Sequence, residues 1–455
     1  MRRKLVAAAV GLALAAPAHA LDLLHAYEAA LANDPVFLAA VKENEAGQAN
    51  RVIGRSALMP KIGGSYLQQA ADSIVTGPAY NGGPNTTYSR AYPSDVVNFQ
   101  VTQPLFNLEA LARMRQGQAQ GDFTQAKFLY QTQELLIRVL QAYSDLLYAQ
   151  DNYSYLVSQR DAYKEQLKVN QRMFERGEGT ITDTLETRAS AALAEAQVIE
   201  AKDVIENTKR KLEALTGQQI PRAEEVKPLG KLFAAHALQP RAFEIWRDSA
   251  LANNAELQAA QHNIEISRQE YEKQKAGHYP TVAAVASWNQ SKSAYTSAIQ
   301  QNANTTSGGV QINIPIFTGG EVTGRTSQAR AGFEKAQAER DGTRERAITE
   351  LRKQYDLVGS SVAKIEALNR AVDSATELTK AMRKSVQGGQ RINLDVLLAD
   401  RGLATARRDL ARAKYDYMLA YLRLKQQAGT LTLEDLEKVA VNFQKDSVAT
   451  AKKPE

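Results

Sequence analysis

Apolar residues recur every seven positions in two long segments of the chain, a spacing typical of helices that pack as coiled coils. Large and small residues alternate along each series, and the alanines allow neighbouring helices to approach closely. The first series comprises Ala191, Ala194, Val198, Ala201, Ile205 and Leu212, and the second comprises Val396, Ala399, Leu403, Ala406, Leu410, Ala413, Tyr417, Ala420 and Leu424. The pattern predicts helices over residues 184–216 and 395–428 with a left-handed supercoil.

A longer segment without proline precedes each of these helices, over residues 109–175 and 321–387. At a rise of about 1.5 Å per residue, each segment would form a helix about 100 Å long. The first segment carries its own apolar series, at Leu129, Leu136, Leu140, Tyr143 and Leu147. Helices of this length cannot fold back into one compact core, so we expect either an α-helical barrel or an extended coiled-coil rod.

Short segments of alternating apolar and polar residues predict β-strands. Residues 61–73 are expected to pair with 95–103, and residues 281–293 with 308–316. Strands of about ten residues with one apolar face are typical of outer-membrane barrels. A soluble sheet with one polar face is the alternative interpretation of the strands alone.

The same order of elements occurs twice, and Ala30-Leu31-Ala32-Asn33 recurs as Ala250-Leu251-Ala252-Asn253. We predict one structural repeat over 21–219, a linker over 220–240, a second repeat over 241–430 and a C-terminal segment with a polar tail over 431–455. Four strands cannot close around a lumen, whereas three copies give about twelve. The predicted fold is mainly α, with an α-helical barrel and a membrane β-barrel that a homotrimer shares.

Residues 1–20 have the layout of a secretory signal peptide, with basic residues, an apolar run and Ala18-His19-Ala20 as the cleavage site. Cysteine is absent, which excludes disulfides and a lipid-modified N-terminal cysteine. A position in the outer membrane would therefore depend on contact between the barrel and the surrounding lipid.

The net charge of +6 arises from basic and acidic residues that are interleaved along the helices, so no nucleic-acid partner is expected. The five histidines are scattered, and none of them pairs at metal-ligand spacing. The sequence has no nucleophile elbow and no phosphate-binding glycine loop. We therefore expect no enzymatic activity, no metal and no cofactor.

Two short motifs join the long helices, and we call residues 176–183 the first tip and residues 388–395 the second tip. They read Arg176-Gly177-Glu178-Gly179-Thr180-Ile181-Thr182-Asp183 and Gly388-Gly389-Gln390-Arg391-Ile392-Asn393-Leu394-Asp395. With the duplication, these motifs resemble the TolC family of outer-membrane channel-tunnel proteins of Gram-negative bacteria, over residues 21–431. The resemblance implies a trimeric export duct that crosses the outer membrane and the periplasm. It also implies two partners, a periplasmic adaptor (membrane fusion) protein and an inner-membrane transporter, either ABC or proton-driven.

The resemblance also implies roles for the tips. Arg391 matches an arginine that ties the inner to the outer helices near Thr182 and Asp183, and Asp395 matches an aspartate whose threefold ring narrows the entrance. A first-turn helix carboxylate is the alternative role for Asp395. The residues matching the adaptor contacts are Gly177, Glu178, Gly179, Gly388, Gly389 and Gln390.

The sequence departs from the family pattern at two positions that flank the second tip, and its adaptor-contact residues are more polar and more flexible than the pattern. Leu398 stands where a second acidic residue is expected, with Asp400 nearby on a different helix face, and Val386 replaces a tyrosine tie. Type I secretion and multidrug efflux remain equally open from the sequence. The alternative function is a secreted trimeric coiled-coil structural or adhesin-like protein without a conducting lumen.

Overall fold

The computed structural model describes residues 21–78, 82–223, 226–230, 233, 235–293, 301–388, 390–391 and 393–443. The predicted signal peptide, Gly389 and the tail from residue 444 lie outside this part of the chain. The helices are α1 Leu23–Asn33, α2 Pro35–Ser56, α3 Leu108–Glu175, α4 Ile181–Thr216, α5 Phe243–Asn253, α6 Ala255–Lys275, α7 Glu321–Gln387, α8 Asn393–Gln427 and α9 Leu433–Ala440. The strands are β1 Lys61–Gly77, β2 Thr86–Phe106, β3 Thr281–Ser293 and β4 Gln301–Asn313.

The order of elements confirms the internal duplication, because two helices, two strands and two long helices follow one another twice. The chain forms two compact units, and each takes residues from both halves of the sequence. The first unit contains Lys127–Leu257 with the described residues up to Lys42 and from Thr343 onward. The second unit contains Glu43–Ala126 and Gln258–Gly342.

The hydrophobic core of the first unit lies around the middle of α3. Leu135, Leu140 and Tyr143 are fully buried there, in one cluster with Leu422 of α8 and Leu23 of α1. The hydroxyl oxygen of Tyr143 lies 3.0 Å from the carbonyl oxygen of Leu21 and 2.9 Å from that of Lys227. The first residue after the predicted signal peptide is thus tied to the core.

The apolar series of α4 and α8 lie buried or half-buried along their helices, as the seven-residue repeat predicts. In α3 the prediction is wrong for Leu129, which is 42% exposed. Its neighbour Phe128 faces the core instead, with its ring 5.8 Å from that of Phe37. Helix α7 carries a further buried series that the sequence analysis did not single out, at Leu351, Val358 and Ile365.

Helix α9 closes the C-terminal end of the first unit. Thr432 and Asp435 form a capping box at its start, and Asp435 is 1% exposed. The carboxylate of Asp435 accepts a hydrogen bond of 2.6 Å from the ammonium of Lys425 in α8. Beyond the helix, the buried ring of Phe443 meets that of Tyr143 edge-on at 5.2 Å.

The second unit contains an antiparallel sheet with the strand order β1-β2-β3-β4. Ile62 lies opposite Val101, and the ring of Phe99 lies 5.8 Å from that of Trp288. Ile62 and Phe99 are exposed, as are Val310 and Ile312 of β4. The sheet is open, so the outer edges of β1 and β4 have no partner among the described residues.

Three of the four strands have bounds that differ from the prediction, and β1 ends at Gly77 rather than 73. Strand β2 begins at Thr86 rather than 95. Its residues before Ser94 pair only with β1, so the missing N–H of Pro93 does not interrupt the pairing of β2 with β3. Strand β4 spans Gln301–Asn313 rather than 308–316. Its polar start pairs along the whole length of β3, and it ends before Pro315.

Helices α2 and α3 of the second unit pack through glycine. The backbones of α2 and α3 approach closely at Gly54 and Gly117. A Cβ on Gly117 would lie 2.3 Å from the carbonyl oxygen of Asn50. Side chains larger than hydrogen would force the two backbones apart. Within the described residues, no helix has both the length and the apolar character that crossing a membrane requires.

Candidate functional site

The first tip is a tight turn between α3 and α4. Gly177 has a φ of 75°, a left-handed conformation that glycine adopts without strain. The N–H of Gly177 donates to the carbonyl of Phe174, and that of Glu178 donates to the carbonyl of Met173 at 2.8 Å. This pair of bonds is a Schellman motif, which satisfies the last carbonyls of α3 and ends the helix.

Helix α4 begins at Ile181, immediately after this turn. Thr180 caps it, since its hydroxyl accepts from the N–H of Asp183 and donates to the Asp183 carboxylate at 2.6 Å. The amide of Asn170 in α3 donates to the hydroxyl of Thr187 in α4 at 2.8 Å. Asp183 is therefore held by its own helix start, while Thr182 is exposed beside it.

The second tip has a related backbone. The N–H of Gly388 donates to the carbonyl of Lys384, and that of Gln390 donates to the carbonyl of Ser385 at 2.9 Å. Helix α8 then begins at Asn393, which places Asp395 in its first turn. The positive end of the helix dipole stabilises a carboxylate at this position.

Acidic and basic side chains pair around the second tip. The guanidinium of Arg391 lies 3.7 Å from the carboxylate of Asp395, and Arg391 is 57% exposed. Arg383 of α7 contacts both carboxylate oxygens of Asp400 in α8, at 3.1 and 3.2 Å. The second pair joins α7 to α8 two turns above the tip, and sequence spacing alone could not have revealed it.

The structure thus brings some of the predicted site residues together and leaves others apart. Within one chain, Arg391 contacts Asp395 rather than Thr182 or Asp183. Glu178, Gln390 and Leu398 are exposed at or near the tips. Gly179 packs closely, since a Cβ there would lie 3.1 Å from that of Met173. The part of the chain that the structure describes contains no group of three or more His, Asp or Glu side chains that could hold a metal ion.

Comparison with known proteins gives a consistent result. The profile of the family described as Outer membrane efflux protein matches residues 26–218 and 246–430. The alkaline protease secretion protein AprF of Pseudomonas aeruginosa is 43% identical over 94% of this chain and 88% of its own length. The proteases secretion protein PrtF of Dickeya chrysanthemi is 37% identical over 98% of this chain and 96% of its own length.

Solved structures show the same fold at lower sequence identity. The outer membrane protein VceC from Vibrio cholerae superposes with a TM-score of 0.70, at 22% identity, over 90% of this chain and 96% of that chain. The CmeC outer membrane channel of Campylobacter jejuni gives a TM-score of 0.73 at 16% identity, over 92% of this chain and 89% of that chain. The helices and the sheet described above are therefore shared with known outer-membrane channels.

Proposed function

Because the chain belongs to the outer membrane efflux protein family, we propose that three copies form a duct for type I protein secretion across the outer membrane and the periplasm. The chain is an outer-membrane export protein, with its helical part in the periplasm. The observation that favours protein cargo over drugs is its similarity to AprF and PrtF, whose names both specify protease secretion. Multidrug efflux is the second candidate, since the outer membrane efflux protein BepC of Brucella suis is 25% identical over 85% of this chain and 80% of its own length.

The open sheet supports a homotrimer. An exposed strand edge presents unpaired N–H and C=O groups, which hydrocarbon cannot satisfy. A head-to-tail contact between β4 of one copy and β1 of the next satisfies both edges, and three such contacts close a barrel of about twelve strands. The exposed apolar face of Ile62, Phe99 and Ile312 then meets outer-membrane lipid.

The second tip is proposed as the gate. In the trimer, three copies of Asp395 face the axis and favour cations, while Arg391 contacts Thr182 and Asp183 of a neighbouring copy. The exposure of Arg391 supports this role, because its guanidinium keeps donors free beyond its contact with Asp395. Asp400 has a separate role, holding α8 to α7 through Arg383.

The two tips together are proposed as the adaptor-docking end. Gly177, Glu178, Gly179, Gly388, Gly389 and Gln390 would meet a periplasmic adaptor, and the adaptor would connect the duct to an ABC transporter of the inner membrane. The exposed polar side chains of Glu178 and Gln390 suit a polar adaptor surface. We infer a conduit rather than an enzyme, without cofactor or nucleic-acid partner.

The test combines conductance with secretion. Purified trimer in a planar bilayer should give discrete channels, Arg391→Ser should increase their conductance, and Asp395→Ala should weaken block by multivalent cations. Unchanged block would remove Asp395 from the constriction, and a complete lack of conductance in all variants would contradict the duct.

Cells that lack their own channel should export a protease when this chain is supplied with a type I adaptor and ABC transporter. Restored drug resistance without protease export would favour efflux.

A further inference from the structure

Three arginines of α8 lie over the rings of three tyrosines of α3. The guanidinium carbon of Arg408 is 4.5 Å from the ring centroid of Tyr155, and that of Arg412 is 4.8 Å from the centroid of Tyr148. Arg401 lies 5.4 Å from the centroid of Tyr163 and also donates a hydrogen bond of 3.2 Å to its hydroxyl. We call these three contacts the arginine–tyrosine ladder. All fall within the distance at which a cation is attracted to an aromatic face.

Neighbouring carboxylates hold two of the three arginines in place. Arg408 donates from Nε and Nη2 to the carboxylate of Asp409, at 2.9 and 2.6 Å. Arg412 pairs through Nε with Asp416 at 3.0 Å. Because the guanidinium is already fixed in this way, little further side-chain entropy is lost when it contacts the tyrosine ring.

The contact between Arg412 and Tyr148 lies at the end of the apolar core, and the other two contacts of the ladder lie where α3 buries few side chains. Above the ladder, α3 buries Leu135, Leu140 and Leu146, and α8 buries Met418 and Leu422. Between residues 150 and 175, Ala162 is the one buried side chain of α3. The upper contact is therefore a hydrophobic core to which both helices contribute. In the lower contact α8 still buries Val396, Ala399 and Leu403, but the side chains of α3 meet α8 through charge–aromatic pairs.

This difference has a mechanical consequence. Separating packed apolar side chains exposes their whole surface to water, so the upper contact opposes any movement of α8 away from α3. An arginine that moves away from a tyrosine ring can instead be hydrated, and it keeps its ion pair with the neighbouring aspartate. The lower contact can consequently break and reform while the upper contact stays intact.

We propose that the arginine–tyrosine ladder is a second restraint on the gate, which holds the lower half of α8 against α3 and must be released before the tips can separate. This inference rests on the proposed function and adds gate-positioning residues away from Arg391 and Asp395. The segment that the ladder restrains runs from Asn393 to Arg412, on the tip side of Met418 and Leu422. Release of the tip contacts alone leaves this segment attached to α3.

Tyr155 and Arg408 provide the test. Loss of one exposed cation–π contact is worth about a fivefold change in a two-state ratio. Because each trimer loses three such contacts, we therefore expect Tyr155→Leu and Arg408→Gln each to raise the ratio of open to closed channels about tenfold or more in planar bilayers. Tyr155→Phe keeps the aromatic face and is the matched control, which should behave like the parent chain. The double variant should open no more than either single variant, because both changes remove the same contact.

Two results would overturn the ladder. One is a Tyr155→Leu channel as closed as the parent, and the other is a Tyr155→Phe channel as open as Tyr155→Leu. Arg391→Ser distinguishes this failure from failure of the proposed function. If Arg391→Ser opens and the ladder variants do not, the duct stands and the ladder is wrong; if no variant conducts, the duct itself is wrong.

A distance measurement checks the movement directly. The chain has no cysteine of its own, so spin labels can be placed on cysteines at Ser154 of α3 and Arg407 of α8, which are both exposed. Tyr155→Leu should add a population with a longer separation, and Tyr155→Phe should not. An unchanged distance distribution in a folded Tyr155→Leu trimer would contradict release of α8.

Discussion

At the scale of single residues, Asp151 of α3 is unusual because it is a largely buried carboxyl without a cationic partner among the residues described around it. Burial raises the pKa of Asp151 to about 6, although the Tyr415 hydroxyl donates a hydrogen bond of 3.3 Å that opposes the shift. The folded chain therefore binds a proton more tightly than the unfolded chain. Between the unfolded pKa and about 6, the free energy of unfolding falls as pH rises.

We expect Asp151→Asn to be more stable than the parent above pH 6, by at most about 3 kcal/mol, because the amide never ionises. Near pH 4 the parent carboxyl is protonated in the folded state, so the two melting temperatures should converge. Thermal melting of the purified protein at pH 4 and pH 7.5 measures both. Asp203→Asn, at an exposed position of α4, is the control, and an equal gain in that variant would contradict a burial effect.

Single residues also show the limits of the sequence. Leu129 fits the seven-residue series, yet α3 turns Phe128 toward the core, because the choice between two adjacent apolar residues depends on the position of Phe37 in α2. The arginine–tyrosine ladder was equally invisible, since Tyr155 and Arg408 are about 250 residues apart and each is an ordinary surface residue in its own helix. Contacts between distant helices depend on their relative register, which periodicity does not give.

At the scale of elements, the sequence predicts helices better than strands. The long helices follow from proline-free heptads, because local spacing determines which face is buried. The predicted range of strand β4 differs from the structure because Gln301 to Ser307 contain little apolar surface. These residues form a strand only because they pair in register with β3. Pairing with a distant strand can thus extend β-structure into a segment whose own residues indicate a loop.

The packing of α2 on α3 gives a test at this scale. We expect Gly117→Ala to lower the free energy of unfolding by about 1–3 kcal/mol, because the new methyl group meets the backbone oxygen of Asn50. Gly121→Ala, one turn along α3, meets the side chain of Arg51, which can move. Its loss should be smaller in thermal or denaturant unfolding. Equal losses at both positions would show that helix approach at Gly117 is not limiting.

At the scale of the whole molecule, closure of the sheet is the step that one chain cannot complete. Strands β1 and β4 are the two edges of the same open sheet. A closed ring must join unlike edges, so each contact pairs β1 of one copy with β4 of the next. A chain with one cysteine at Ser65 in β1 and a second cysteine scanned along β4 should therefore cross-link into covalent dimers and trimers.

The cross-linking pattern has a built-in control. Chains with the β1 cysteine alone, or with a β4 cysteine alone, should remain monomeric on a denaturing gel, because no copy places two identical edges together. Trimers should appear at one or two adjacent β4 positions, which fixes the register of the contact. Cross-links in the single-cysteine chains would indicate a symmetric dimer contact instead of a ring.

In the proposed gate, the unequal halves of α8 would set how far the entrance can widen. The segment from Asn393 to Arg412, on the tip side of Met418 and Leu422, is about 30 Å long, so a tilt of about 10° would carry its end sideways by about 5 Å. Because the displacement grows with the length of that lever, the proposed gate would open to a width that depends on where the packing around Met418 and Leu422 stops. Extending the packing by one heptad toward the tip would shorten the lever by about 10 Å and admit only slimmer polypeptides.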